Sequence, residues 1–241
     1  MRIDKFLVQA QVATRSQAHK LIKQKQVLVN DQVVKAFKQQ IDENNDVVQV
    51  AGKVIHYQKY YYYLLNKPQG VITATKDVQH RTVVDLLAKD DYRADIVPVG
   101  RLDKDTTGLL LLTNDGQLNH NLMSPANHVA KEYEAVVAGP VDQTTSAQFA
   151  QGLVLRDGLK TQPAHLTIIQ ADPKQQASLV RVVIKEGKYH QVKRMFAATG
   201  GRVVELKRVR LGSLQLDETA LPQGQYRALT PAELAQLKQN N

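Results

Sequence analysis

The chain has 241 residues, and 32 Lys+Arg against 23 Asp+Glu give a net charge of +9; this length suits one large domain or two smaller ones with a proper core. Hydrophobic residues at 43% and charged residues at 23% exclude a disordered chain, and zero Cys excludes disulfides, thiolate zinc sites and a thiol nucleophile. No apolar run reaches the ~18 residues that a bilayer span needs, and Met1-Arg2-Ile3-Asp4 does not open a signal peptide, so a soluble, cytoplasmic, basic protein is expected.

The positive charge is concentrated. Residues 1–59 hold ten Lys/Arg against five Asp/Glu, and residues 185–210 hold eight against two. Two separate basic concentrations predict two contact regions for one polyanion. Charge alone also permits an anionic membrane, but no segment joins a basic face to a Trp- or Phe-rich apolar one.

Residues 1–59 read as a small module. Ile3, Phe6, Leu7 and Ala10 fall at helical spacing, with Arg2, Lys5 and Gln9 on the other side. A second helix is expected after a cap at Thr14 or Ser16, turning Ala18, Leu21 and Ile22 inward and Lys20 and Lys23 outward. Val27-Leu28-Val29 reads as a strand that turns at Asn30-Asp31 into Val33-Val34, and a last strand is expected at residues 47–50 after an acidic loop. This pattern, over RIDKFLVQAQVATRSQAHKLIKQKQVLVND, resembles the small α-L RNA-binding module first known from a small-subunit ribosomal protein. The resemblance implies that Arg2, Lys5, Arg15, Lys20 and Lys23 face structured RNA. Where that family usually places glycine, this chain has Gln11, Gln24-Lys25-Gln26 and Asp31, at positions that often need a positive φ.

Residues 51–62 read as a connector, and residues 60–241 as a second domain. Tyr60 to Tyr63 lead into the strand Tyr63-Leu64-Leu65; alternate tyrosines face opposite ways in a strand, so a half-core, half-interface role is expected rather than a base-stacking array. Asn66 to Gly70 reads as a turn. Strands are expected at residues 96–99, 109–113, 133–137, 166–169, 179–184 and 203–209. Helices are expected at residues 82–87, 116–123, 144–151, 190–199 and 231–237, the last opened by a capping box of Thr230 and Glu233. Period-two alternation with few crossover-length segments predicts a mixed, mainly antiparallel α+β domain.

One segment departs from scaffold behaviour. Gly100-Arg101-Leu102-Asp103-Lys104-Asp105-Thr106-Thr107-Gly108 is a polar loop, and the four leucines after it suggest a strand buried on both faces. Such a strand can hold reactive groups rigidly. Three chemistries fit the loop. Asp103 and Asp105 could hold a divalent metal, although Arg101 and Lys104 would repel it. His120 or His190 could act as general acid or base in RNA cleavage. Asp103 could instead be a lone carboxylate acting on a base or sugar.

GRLDKDTTGLLLLTNDG, preceded by LNKPQG and followed by KEYEAVV and EGKYHQVKRMFAATGGRVVELKRVRLG, resembles the pseudouridine synthases over nearly the whole chain. HQVKRMFAATG is similar to the small-subunit branch, the 16S rRNA pseudouridine(516) synthases; the rival readings are the same isomerase acting on 23S rRNA and a non-catalytic ribosome-assembly protein. The resemblance implies that Asp103 is the essential carboxylate, paired with Lys193, and that Tyr133 packs on the target base. It further implies that Leu211 closes the base's other side, that Arg101 holds the extruded nucleotide and that no metal or cofactor is needed. The helix expected at residues 190–199 carries Val192, Met195, Phe196 and Thr199 on one stripe, which places His190, Lys193 and Arg194 on the opposite face; with the pairing that the resemblance implies, Lys193 is assigned to Asp103 and Arg194 to phosphate. The implied partner is 16S rRNA or a partly assembled small subunit. A monomer is expected, since no exposed apolar seam is evident.

Overall fold

The computed structural model describes residues 1–172 and 177–239. The chain divides into two compact units, Met1–Tyr60 and Tyr61–Asn241.

In the first unit, helices α1 (Ile3–Gln9) and α2 (Arg15–Lys23) precede strands β1 (Val27–Val29), β2 (Gln32–Val33), β3 (Val48–Val50) and β4 (Lys53–Ile55), which pair in the order β2-β1-β3-β4. Ile3, Phe6 and Leu7 from α1 and Ala18 and Ile22 from α2 share one buried cluster with Val27, Val29, Val48 and Val50. Thr14 is the N-cap of α2 and forms a capping box with Gln17. The expected connector holds β4 because Ala51 and Gly52, at φ 48° and 79°, form a hairpin turn. Alanine at its first position hides the usual Asn-Gly or Gly-Gly signal. Gln11, Lys25 and Asp31 have φ of 58°, 57° and 62°, so the left-handed turns persist without glycine.

The second unit runs β5 (Tyr62–Lys67), β6 (Val97–Pro98), β7 (Thr107–Thr113), α3 (Gly116–Met123), β8 (Lys131–Ala138), α4 (Gln143–Gln151), β9 (His165–Asp172), β10 (Ala177–Ile184), α5 (Gln191–Ala198), β11 (Arg202–Leu211), β12 (Leu214–Gln215), β13 (Tyr226–Ala228) and α6 (Pro231–Gln239). Its sheet has the order β13-β5-β7-β11-β8-β10-β9, with β12 on β11 and β6 on β7. Among these pairings only β7–β11 is parallel, so the α+β class is that of a mixed, mainly antiparallel sheet. Residues 82–87 form only a 3₁₀ turn at Val84–Leu86, because Asp85 accepts from both Thr82 N (2.8 Å) and Thr82 Oγ1 (2.9 Å) and closes a local turn. Strand β5 runs through Asn66 and Lys67, so the turn begins only at Pro68. Strands β12 and β13 have two and three residues, too short to show a period.

Leu109 to Leu112 are each fully buried. Strand alternation sends them to two cores: Leu110 and Leu112 join Tyr63, Tyr133, Phe149 and Phe196, and Leu109 and Leu111 join Tyr62, Leu118, Leu211 and Leu237. Thus α4 and α5 supply one core and α3 and α6 the other, with β7 between them. At the start of β7, Gly108 (φ 97°) lies against the Arg208 backbone. A Cβ there would stand 2.3 Å from Arg208 O and 2.8 Å from Arg208 N. We predict that Gly108→Ala splits the β7–β11 contact and costs at least about 2 kcal/mol, read as a fall in the urea midpoint at unchanged m.

Candidate active site

The loop before β7 is tied to the segment after β5. Lys67 is fully buried, and its Nζ donates to the carbonyl oxygens of Thr106 (2.8 Å), Pro68 (3.2 Å) and Lys104 (3.4 Å). Gly70 N donates to Lys104 O (2.8 Å). Thr73 Oγ1 donates to Leu102 O (2.7 Å) and accepts from Leu102 N (3.1 Å). Asp103 therefore projects from backbone held on both sides. Burial lowers the Lys67 ammonium to about 8, although Asp105 and Asp103 act in the opposite sense.

The second half of the site comes from α5. Val192, Met195 and Phe196 are buried, with Phe196 tilted on Phe149 at 4.9 Å. Gln191 anchors the helix start by donating to Glu186 (2.6 Å) and accepting from Lys188 N (2.9 Å). Lys193 then donates to Asp103 Oδ2 (2.9 Å) and Asp105 Oδ1 (2.6 Å), while His190 Nε2 stands 3.5 Å from Asp103 Oδ1. Burial alone would lower the Lys193 pKa; the hydrogen bonds to Asp105 and Asp103 outweigh it and raise it above the ordinary lysine value. The same hydrogen bond from Lys193 holds Asp105 below the usual carboxylate range. The two carboxylates thus share a lysine ammonium, and among the described residues no group of three or more His, Asp or Glu is placed to hold a metal ion.

A cavity of about 510 Å³ lies beside this pair, lined among others by Arg101, Asp103, Tyr133 and His190. Tyr133 is on the buried face of β8 with Lys131 two residues before it, and β11 sets Arg208 opposite Tyr133. Lys131 and Arg208 also line the cavity. Neither stood out in the sequence, where Arg208 reads as one cation of the basic stretch 185–210 and Lys131 as a lone lysine beside Glu132 and Glu134; a charge at a strand's inward position was the available signal. Lys67 was concealed in the same way by its place in an expected turn.

The other expected residues are placed as follows. Leu211 is fully buried in the second core opposite Leu214 and is not among the cavity-lining residues, because β12 hairpins back onto the end of β11. Arg194 does leave the apolar stripe, but its guanidinium pairs with Asp157 and donates to Tyr189 O (3.3 Å). His120 lies on α3, outside the lining of this cavity. In the first unit Lys5, Arg15, Lys20 and Lys23 are exposed. Arg2 is half-buried and donates through Nε (3.0 Å) and Nη2 (2.5 Å) to the buried Asp4. Arg2, Lys5 and Arg15 border one surface cleft.

Residues 1–47 match the S4 domain and residues 61–198 match the RNA pseudouridylate synthases. The chain belongs to the RNA pseudouridylate synthase family. It is 41% identical over 234 residues to an uncharacterised RNA pseudouridine synthase of Bacillus subtilis, covering 97% of each chain. Over 236 residues it is 40% identical to ribosomal small subunit pseudouridine synthase A of Escherichia coli, covering 98% of this chain and 99% of that one. A crystal structure of a pseudouridylate synthase matches with a TM-score of 0.67 and 40% identity, covering 98% and 99% of the two chains.

In this pseudouridylate synthase the buried lysine under the loop has a measurable cost. Between about 8 and the ordinary lysine value of 10.5 the unfolded chain keeps a proton on Lys67 that the folded chain has released. The unfolding free energy therefore rises with pH across this window. We expect Lys67→Met to flatten that rise, measured by urea titrations at successive pH values; an unaltered slope would show that Lys67 is solvated.

Proposed function

We propose that this synthase isomerises uridine to pseudouridine in 16S rRNA, using Asp103 as its essential carboxylate without metal or cofactor. The observation that carries the reading is the Asp103–Lys193 pair at 2.9 Å, beside Tyr133 in a cavity of about 510 Å³. The choice of small-subunit RNA is supported by the 40–41% identical relatives named ribosomal small subunit pseudouridine synthase A, and by the HQVKRMFAATG stretch. The working state proposed is a cytoplasmic monomer acting on 16S rRNA or a partly assembled small subunit.

The reaction detaches uracil from C1′ of its ribose, turns it and rejoins it through C5. The C1′–N1 bond breaks, a C1′–C5 bond forms, and the proton on C5 is replaced by one on N1. Nothing is oxidised or reduced. Asp103 serves as an anion, whether it attacks covalently or removes a sugar proton, and Lys193 is the counter-ion that offsets its partial removal from water. Extruding the uridine costs a few kcal/mol of stacking and pairing. Tyr133 offers a surface for the base, and the exposed Arg101 reaches the sugar-phosphate at the mouth.

Asp103→Asn is expected to lower the single-turnover rate by on the order of 10⁴-fold or more with 16S rRNA affinity unchanged in filter binding. In a deletion strain, pseudouridine mapping of both ribosomal RNAs should show one site lost from 16S and none from 23S, restored by wild type and not by Asp103→Asn. A site lost from 23S would move the substrate to the large subunit. In the first unit, Lys5→Ala with Arg15→Ala is expected to make the log K against log salt line shallower by roughly 1.5, while an unchanged line would remove these two residues from the RNA contact.

A further inference from the structure

Among the described residues, the floor of the catalytic cavity holds two cations without counter-ions. Arg208 is 1% and Lys131 7% exposed. Arg208 Nε donates to Leu109 O (2.7 Å), but its buried Nη2 has no hydrogen-bond partner among the described residues. Lys131 Nζ donates to Val129 O (3.1 Å). Among the described residues neither forms a salt bridge; the carboxylates that line the same cavity are engaged elsewhere, Asp103 by Lys193 and Glu186 by Lys188 at 3.2 Å. Burial, and then the neighbouring Arg208, lower the Lys131 ammonium to about 8. A buried cation with an idle donor destabilises a fold unless a ligand completes it.

The place of these cations in the cavity selects the ligand. The exposed lining residues, Arg101 and Tyr189 among them, mark the mouth, and phosphates of a looped-out nucleotide remain there. The base enters first and reaches the buried end, where Tyr133 stands opposite Arg208 and two residues from Lys131. We infer that Lys131 and Arg208 bind the uracil ring through its carbonyl oxygens and hold it as an anion once it has left the ribose. This rests on the isomerase reading above. When the C1′–N1 bond breaks, its electron pair leaves with the ring and spreads over N1, O2 and O4. The same charge is consumed when C5 bonds to C1′ and its proton is lost while N1 gains one. Donors fixed in advance around a developing anion need no reorganisation, which is the condition for strong electrostatic stabilisation. They also keep the detached base from escaping before it has turned.

The test compares free uracil with 5-nitrouracil, a base of similar shape that is ionised at neutral pH. Titration calorimetry on the full chain is expected to show 5-nitrouracil bound at least about tenfold more tightly, a preference that Lys131→Met and Arg208→Met each largely abolish. Lys131→Met is also expected to slow single-turnover isomerisation by on the order of 10²-fold, to leave 16S rRNA affinity unchanged, and to raise the melting temperature or leave it level. A purely structural lysine would lower it. Equal affinity of the wild type for the two bases overturns the proposal, as does a preference that survives both substitutions. Displacement of 5-nitrouracil by inorganic phosphate overturns it too, since the floor is then a phosphate site. Wild-type isomerisation without the anion preference sinks this inference alone; a wild type that does not isomerise uridine sinks the functional reading with it.

Discussion

A single ammonium group, that of Lys193, joins two parts of the catalytic unit that are 90 residues apart in the chain. It stands 2.9 Å from Asp103 and 2.6 Å from Asp105, two carboxylates that would otherwise repel each other across one short loop. Neither anchor can drift. The loop continues into β7, which is buried on both faces, and the helix is pressed into the first core by Val192, Met195 and Phe196. This pair sets where a negative oxygen faces the cavity.

The cations around the cavity differ in what satisfies them. Lys193 has two carboxylates, Lys67 has three backbone carbonyls, and Lys131 and Arg208 have one carbonyl each. The first arrangement keeps an anion charged, and the second pins a loop. The third leaves donor capacity unused in a buried place, which lowers stability in the free protein and is recovered only when a ligand supplies acceptors. Such local costs cluster where a site must meet a charge that exists only during reaction.

The first unit shows how far a residue pattern can diverge while its backbone is kept. Gln11, Lys25 and Asp31 take left-handed conformations at turns where glycine would be unstrained. The apolar spacing that packs α1 and α2 on the sheet is intact, and the core it buries holds the turns in place. Its exposed Lys5, Arg15, Lys20 and Lys23 follow from the same helical spacing. Arg2 lies on the same face, yet it is drawn in by Asp4, a partner that linear charge counting cannot assign.

Periodicity and motif were enough for the parts of this protein that depend on neighbours along the chain. The two helices of the first unit, the doubly buried leucine strand, the capped terminal helix and the polar loop carrying Asp103 were all legible in the sequence. So was the face of α5 that turns Lys193 away from the core, since 3.6 residues per turn decide it. Short pieces were not: β12 and β13 exist because a longer strand lies beside them, and β4 because the Ala51-Gly52 turn folds it back on β3. The same limit applies to side chains. Lys67, Lys131 and Arg208 look like ordinary basic residues until the sheet buries them, Leu211 is taken into the second core by a hairpin of two residues, and Arg194 is claimed by Asp157. Burial and the identity of a distant partner are properties of packing, and only the tertiary structure could decide which cations are paired and which are left waiting for an anion.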